Sequence, residues 1–341
     1  MAKPSKVCVT GAACYIGLWL VRKLLHRGYI VHATLRNIGD EAKVQLLKEL
    51  DAGEERLRLF EADLYDAKKF EFAINGCDYV FLLATPLFHN PNSQYQGTTE
   101  ASLAALDIIM GACERSESVK RVIYTASIMS ASPRKKDDFS FKDCMDESCW
   151  TPLHCPFAHA QEFNRNYINS KTLTEKKLLT YNKKNKQRGM KVVSLVCGLV
   201  GGDGILQNLS TSMAAIISPL SRQWLPYNVL KLIQEMLGSI PLVHIDDVCE
   251  GHILCMENEF ISDRYICVSH WLVMQEMVDY YKLKFPNAQV LDEVEGVDAR
   301  KLPSSTKLLD LGFKYKYNME QILSGSVEYA KRLGSLPHLI S

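Results

Sequence analysis

The 341-residue chain is short of net charge: 40 Lys and Arg stand against 39 Asp and Glu, a formal balance of +1. That leaves no basic stripe for nucleic acid and no polybasic face for an anionic membrane surface. No apolar run reaches the roughly 18 residues needed to cross a bilayer. Residues 1–6 run straight into a strand-like segment, which leaves no room for a signal peptide. The expectation is a soluble, cytoplasmic protein with neither nucleic acid nor membrane as partner. Signals of a disulfide framework are also missing. Eleven cysteines, an odd number, are scattered along the chain, and no CxxC pair stands opposite another. A chain of this length needs no disulfides, so reduced thiols are expected. Cys144, Cys149 and Cys155 lie near His154, but the spacing is poor for tetrahedral zinc, and they read as unliganded loop cysteines. No metal is expected. The run Lys183, Lys184, Lys186 and Arg188 reads as a solvated helix end rather than a polyanion site.

What is present is core-forming material. Hydrophobic residues make up 47% of the chain and charged residues 23%, so a packed α/β core is expected and disorder is not. Short β-branched runs at 6–10, 30–35, 57–60, 79–84, 121–125 and 190–197 alternate with helical patterns at 16–25, 40–50, 67–74, 99–113 and 161–186. Strand and helix in alternation predict a doubly wound parallel sheet of Rossmann type. Beyond Gly201 the alternation weakens, with segments at 240–244, 248–256, 265–268 and 273–282. The expected division is a nucleotide-binding domain with the catalytic residues over 1–200. A smaller α/β substrate lobe follows over 201–341, with some segments returning to the sheet.

The first strand ends in Thr10-Gly11-Ala12-Ala13-Cys14-Tyr15-Ile16-Gly17, and a helix opens there. A glycine permits a tight turn off a strand, and the N–H groups of the helix N-terminus then hold a pyrophosphate. Thr10, Gly11, Tyr15, Ile16 and Gly17 are therefore candidate cofactor contacts. The middle glycine usual in this motif is absent: Cys14 stands there, and its side chain must turn away from the cofactor or narrow its approach. An acid is also absent at the end of the second strand, where NAD-preferring sites place one. Arg36 stands there, with Lys43 one turn into the next helix. An arginine fork and a lysine point charge suit a 2′-phosphate, so the expected cofactor is NADPH.

Tyr167 and Lys171 lie four residues apart within the 161–186 helix and so share a face. A phenol titrates near pH ~10 and is a poor acid-base group at neutrality. A nearby ammonium favours the phenolate and brings it toward the working range. Ser127 ends the fifth strand, where a hydroxyl can share the oxygen of a carbonyl substrate. The expected chemistry is hydride transfer to an electrophilic carbon. Tyr167 donates the proton, Ser127 stabilises the oxygen, and Lys171 binds the nicotinamide ribose.

With these motifs in hand, the chain resembles the plant extended short-chain dehydrogenase/reductases of the dihydroflavonol reductase and anthocyanidin reductase group, nearly end to end. The resemblance rests on residues 7–17, Arg36, Ala62-Asp63-Leu64, Leu83-Ala84-Thr85-Pro86, residues 120–127, 167–171 and 243–248, and Gly312-Phe313. It implies that Asp63 and Leu64 contact adenine, and that Ala84 and Thr85 lie along the ribose and nicotinamide. It implies further that residues 196–200, with Cys197 and Val200, border the nicotinamide. Such enzymes often carry proline where this chain has Cys197, and asparagine where it has Ser132. The Asn-Trp-Tyr-Cys-Tyr stretch of cinnamoyl-CoA reductases is missing, which disfavours CoA thioesters. Ile128, Met129, Ser132 and Trp224 are the candidate substrate contacts, for an aromatic or polycyclic specialised metabolite. Two alternatives stay open here: an NADP-dependent dehydrogenase or isomerase of a steroid- or terpenoid-like alcohol, and a non-catalytic nucleotide sensor. A monomer or homodimer is expected. Replacing Arg36 by Asp is expected to move preference toward NADH. An unchanged ratio of kcat/KM for NADPH and NADH would remove Arg36 from the cofactor site.

Overall fold

The structure, a computed structural model, describes residues 4–50, 55–184 and 189–336. Residues 1–3 of the leader, and Lys186 and Arg188 of the basic run, lie outside the described residues. The strands are β1 (Lys6–Thr10), β2 (Ile30–Leu35), β3 (Leu57–Glu61), β4 (Tyr79–Leu82), β5 (Arg121–Ser127), β6 (Lys191–Cys197), β7 (Leu199–Gly201), β8 (Ile240–His244), β9 (Asp263–Cys267) and β10 (His270–Leu272). The helices are α1 (Tyr15–His26), α2 (Glu41–Glu49), α3 (Phe70–Ile74), α4 (Thr98–Arg115), α5 (Glu162–Lys184), α6 (Thr211–Ser221), α7 (Trp224–Leu237), α8 (Ile245–Glu257), α9 (Met274–Lys284), α10 (Lys307–Asp310) and α11 (Met319–Arg332).

The chain forms two compact units, each built from several segments. One holds residues 1–126, 169–195 and 249–265, and the other 127–168, 196–248 and 266–341. The first unit carries nearly all of a seven-stranded sheet in the order β3-β2-β1-β4-β5-β6-β9. The pairings β1–β2, β1–β4, β2–β3 and β4–β5 are parallel, as the strand–helix alternation requires. Chain order reverses at β1, whose neighbours are β2 and β4. In an open α/β sheet, that reversal opens the crevice in which ligands bind. β1 lies buried along almost its whole length, which explains the unbroken apolar run Val7-Cys8-Val9. α1 ends where Gly28 takes a left-handed conformation (φ 83°) and bonds back to the Leu25 carbonyl.

Within the first unit a buried ion pair ties α5 to the sheet. Arg264 Nε donates to Glu175 Oε1 at 2.7 Å, and its Nη2 donates to Oε2 at 3.2 Å. Ser194 Oγ on β6 donates to the same Oε1 at 2.6 Å. The side chains of Arg264 and Glu175 are 2% and 0% exposed, so each charge depends on the other.

The second unit is built on a small sheet, β10-β8-β7, with β7–β8 parallel and β8–β10 antiparallel. Helices α6, α7, α9 and α11 pack in this unit, and α6 and α11 contact β7. Gly201 on β7 must be bare, since a Cβ there would meet Ile216, Ile322 and Ser326 at 2.8 Å. The segment after β5 is fastened down: Arg134 donates to the Glu235 carbonyl from Nε (2.9 Å) and Nη2 (2.7 Å), and the Glu235 carboxylate receives Ala158 N–H and His159 N–H. Replacing Arg264 by Leu strands a buried carboxylate and is expected to cost about 3–5 kcal/mol. Thermal unfolding measures it. A loss under ~1 kcal/mol would mean that Glu175 finds another partner or water.

Candidate active site

The turn after β1 is held by hydroxyls. Thr10 Oγ1 accepts from Leu83 N–H (3.0 Å) and Ala84 N–H (3.1 Å), which lashes the end of β1 to the end of β4. Thr34 Oγ1 on β2 accepts from Gly11 N–H at 3.2 Å. Gly11 has φ 65°, and a Cβ there would press on Ala84 at 3.2 Å. Gly17 is stricter still: its Cβ would lie 2.5 Å from the Gly11 carbonyl. Both glycines thus let the chain lie close at the switch point.

Cys14 sits at φ −93°, a conformation open to any residue, so the backbone does not demand glycine there. Its side chain neither turns away nor stands idle. Sγ accepts from Gly17 N–H at 3.3 Å and caps α1. A thiol is a weak acceptor, and a phosphate oxygen outbids it for that N–H. Tyr15 is buried, and Ile16 is half-buried in the first turn of α1.

At the end of β2, Arg36 is exposed and makes no side-chain hydrogen bond or ion pair with the described residues. Lys43 differs from the expectation of a lysine waiting for phosphate. Its Nζ is bound to Asp40 at 2.6 Å, while Asp40 also caps α2 through the Lys43 N–H. The Asp63 carboxylate accepts from Tyr65 N–H at 2.9 Å in a local turn. Leu64, Ala84 and Thr85 share one cleft with Thr10, Ser102, Tyr124, Ser170 and Thr174. The last four were not legible as site residues, although Ser170 directly precedes Lys171. Ser102 Oγ and Ser170 Oγ are 2.7 Å apart, and buried Thr174 Oγ1 has no partner among the described residues.

Lys171 is 4% exposed, and its Nζ donates to the Thr125 carbonyl at 2.8 Å with the Tyr124 ring 4.9 Å away. Thr125 is itself fixed, its Oγ1 lying 2.7 Å from His252 Nε2. In the second unit, the Ser127 hydroxyl lies within stabilising reach of the Tyr167 phenol. Burial pushes the Tyr167 phenol above its usual value, and the Ser127 hydroxyl pulls it back only in part. The shift therefore runs opposite to the sequence expectation of a lowered phenol, because desolvation outweighs the stabilising contact. Cys197 lies within electrostatic reach of the same phenol.

The expected substrate contacts fare unevenly. Ile128 and Met129 follow Ser127 in a single 3-10 turn and are buried. Ser132 is fully buried, donates to the Met236 carbonyl at 2.5 Å and accepts from Arg134 N–H at 3.2 Å. Its hydroxyl is spent inside the loop, which corrects the expectation that it meets substrate. Trp224, at the start of α7, is 46% exposed and stands edge-on to Tyr227. Val200 is buried on β7. Among the described residues, no cluster of His, Cys, Asp or Glu could hold a metal, and no helix is long and apolar enough to cross a membrane.

Known proteins resemble the chain along nearly its whole length. Residues 7–266 match the NAD dependent epimerase/dehydratase family. The chain is 34% identical to dihydroflavonol 4-reductase of Gerbera hybrida over 98% of its own length and 88% of that protein's. It is 31% identical to anthocyanidin reductase of Arabidopsis thaliana, covering 96% of this chain and 95% of that one. Among solved structures it is similar to vestitone reductase from alfalfa (Medicago sativa), with TM-score 0.77, 31% identity, and coverage of 97% of this chain and 99% of that one.

Substituting Ser127 by Ala removes a group that lowers the Tyr167 phenol, so the phenol rises further. In the alcohol-oxidising direction, where Tyr167 must act as phenolate, the acidic limb of kcat/KM against pH is expected to move to higher pH. Turnover should fall by about 10²–10³ as an oxyanion donor is lost. An unmoved limb in the pH profile would separate Ser127 from the titration of Tyr167.

Proposed function

We propose that the chain, which belongs to the NAD dependent epimerase/dehydratase family and is an oxidoreductase within it, uses NADPH to reduce a carbonyl or related carbon of an aromatic, polycyclic, flavonoid-like substrate. The observation that carries the reading is the Ser127 hydroxyl set beside the Tyr167 phenol, with Lys171 one turn further along the same helix. The similarity to named reductases sets aside the non-catalytic alternative.

The residues present fit a dinucleotide. Gly11 and Gly17 leave a cradle that a Cβ would fill, and the capped first turn of α1 offers N–H groups to a pyrophosphate. Arg36, exposed and uncommitted, is the residue for a 2′-phosphate, and this supports NADPH over NADH. Lys43 would have to leave Asp40 to assist. Asp63 and Leu64 are assigned to adenine, Ala84 and Thr85 to the ribose and nicotinamide, and Cys197 and Val200 to the nicotinamide face. When bound, the nicotinamide supplies the hydride.

The protein's own groups manage the oxygen. Tyr167, with its phenol held protonated by burial, is an acid at neutral pH and gives its proton to the oxygen that gains charge. Ser127 donates a hydrogen bond to the same oxygen. Lys171, whose Nζ donates to the Thr125 carbonyl, is assigned to the ribose hydroxyls one helical turn from Tyr167. Ile128, Met129 and Trp224 are assigned to an apolar planar substrate. A cytoplasmic monomer or homodimer accords with this role.

The test follows NADPH consumption with dihydroflavonols, anthocyanidins and isoflavanones, in wild type and in Tyr167→Phe. Turnover of at least one class is expected, with at least ~10³-fold loss in the variant and NADPH affinity nearly kept. NADPH-dependent turnover retained in Tyr167→Phe would defeat the assignment. Alcohol oxidation without any reduction would favour the dehydrogenase alternative.

A further inference from the structure

Two thiols meet where β6 and β9 end. The strands are neighbours in the sheet, Cys197 is the last residue of one and Cys267 the last of the other. Gly198 N–H donates to the Cys267 carbonyl at 3.0 Å, which sets Cys197 and Cys267 opposite each other. Their sulfurs share a hydrogen bond, and the Tyr315 hydroxyl also contacts the Cys267 sulfur. Tyr315 is fixed in turn, accepting from Val268 N–H at 3.0 Å. Cys267 is fully buried and Cys197 is 4% exposed.

Facing residues on neighbouring strands lie about 4.8 Å apart. That falls inside the ~4.4–6.8 Å between Cα atoms that a disulfide spans, so closure asks little of the backbone. Other cysteines are placed differently. Cys77 bonds to the Ala73 carbonyl and the His32 ring, and Cys149 faces the Cys144 carbonyl and Asp146. Cys197 is also the thiol that the Tyr167 phenol feels.

We propose that Cys197 and Cys267 form an oxidisable dithiol beside Tyr167, which a hydroperoxide closes to a disulfide that halts turnover until a thiol reductant reopens it. The chemistry balances in two steps. The Cys197 sulfur loses its proton and attacks the peroxide O–O bond; that bond breaks, one oxygen leaves as water or alcohol with the proton, and a sulfenic acid remains. The Cys267 sulfur then attacks the Cys197 sulfur; the S–S bond forms, the S–O bond breaks, and hydroxide leaves as water with the Cys267 proton. Two electrons pass from the thiols to the peroxide. The hydrogen bond to Cys197, together with burial, pushes the Cys267 thiol up, which suits it to resolve the sulfenic acid rather than to meet peroxide first. Closure draws the Cys197 sulfur from its place beside Tyr167.

The effect on turnover rests on the role given to Tyr167 above; the existence of the dithiol does not. The test treats the full chain with hydrogen peroxide and maps its peptides by mass spectrometry, with exposed Cys144 reporting that the reagent acted. A 197–267 cross-linked peptide is expected in wild type, none in Cys267→Ser, and reductase activity that falls several-fold and returns with dithiothreitol. In Cys267→Ser the recoverable part of the loss should vanish, each protein being scored against its own untreated rate. Phenylarsine oxide provides a second probe, expected to bridge both sulfurs in wild type and to do so in neither Cys197→Ser nor Cys267→Ser. Oxidation of Cys144 without a 197–267 cross-link, and with no arsenical bridge, would overturn the dithiol. A cross-link that leaves turnover unchanged would overturn the switch.

Discussion

A carboxylate and a guanidinium shut away from water, Glu175 and Arg264, fix where helix α5 lies on the sheet. An apolar contact would tolerate a small slide or rotation of the helix. Two charge-assisted bonds in a fork do not, because each buried ion loses its opposite charge as soon as the geometry fails. Glu175 follows Lys171 by one helical turn, so the pair also sets the register of the lysine. The 2.8 Å bond from Lys171 to the Thr125 carbonyl is the local result. Position at this accuracy is what proton transfer and hydroxyl binding require.

The nucleotide turn follows a different logic. Its shape comes from backbone and hydroxyl groups rather than ions. Thr10 and Thr34 each spend one hydroxyl oxygen on N–H groups of neighbouring segments, and two glycines remove the carbon atoms that would hold those segments apart. The side chains at Ala12 and Ala13 make no hydrogen bonds, and that of Cys14 serves only as the cap of α1. This explains how a cysteine can stand where such turns carry glycine. It adopts an ordinary backbone conformation and supplies a weak cap that a phosphate can replace.

Much of this was legible in sequence. The β-branched runs gave the first six strands to within a few residues, because a strand buried on both faces has a nearly continuous apolar signature. Gly11, Ser127, Tyr167, Lys171 and Arg36 stood out because their chemistry is local to a turn, a strand end or one helical turn. What was not legible depends on contacts across long stretches of chain. Nothing near Ser132 announces that its hydroxyl meets the Met236 carbonyl. The grip of Asp40 on Lys43 is local, yet it competes with an equally local phosphate reading, and only the side-chain geometry decides. The direction of the Tyr167 shift was misjudged because spacing reveals a charge four residues away but not the depth of burial.

One partner of Lys171 is the Thr125 main-chain carbonyl, and a carbonyl is supplied by every amino acid. No point substitution at position 125 can delete it, so the lysine anchor is insulated from mutation in a way that a carboxylate partner would not be. A lineage could therefore reshape the residues that choose the substrate, and sample losses and gains there, while the lysine keeps its hold. Diversification of specificity on one unchanging reaction centre is the evolutionary course this arrangement permits.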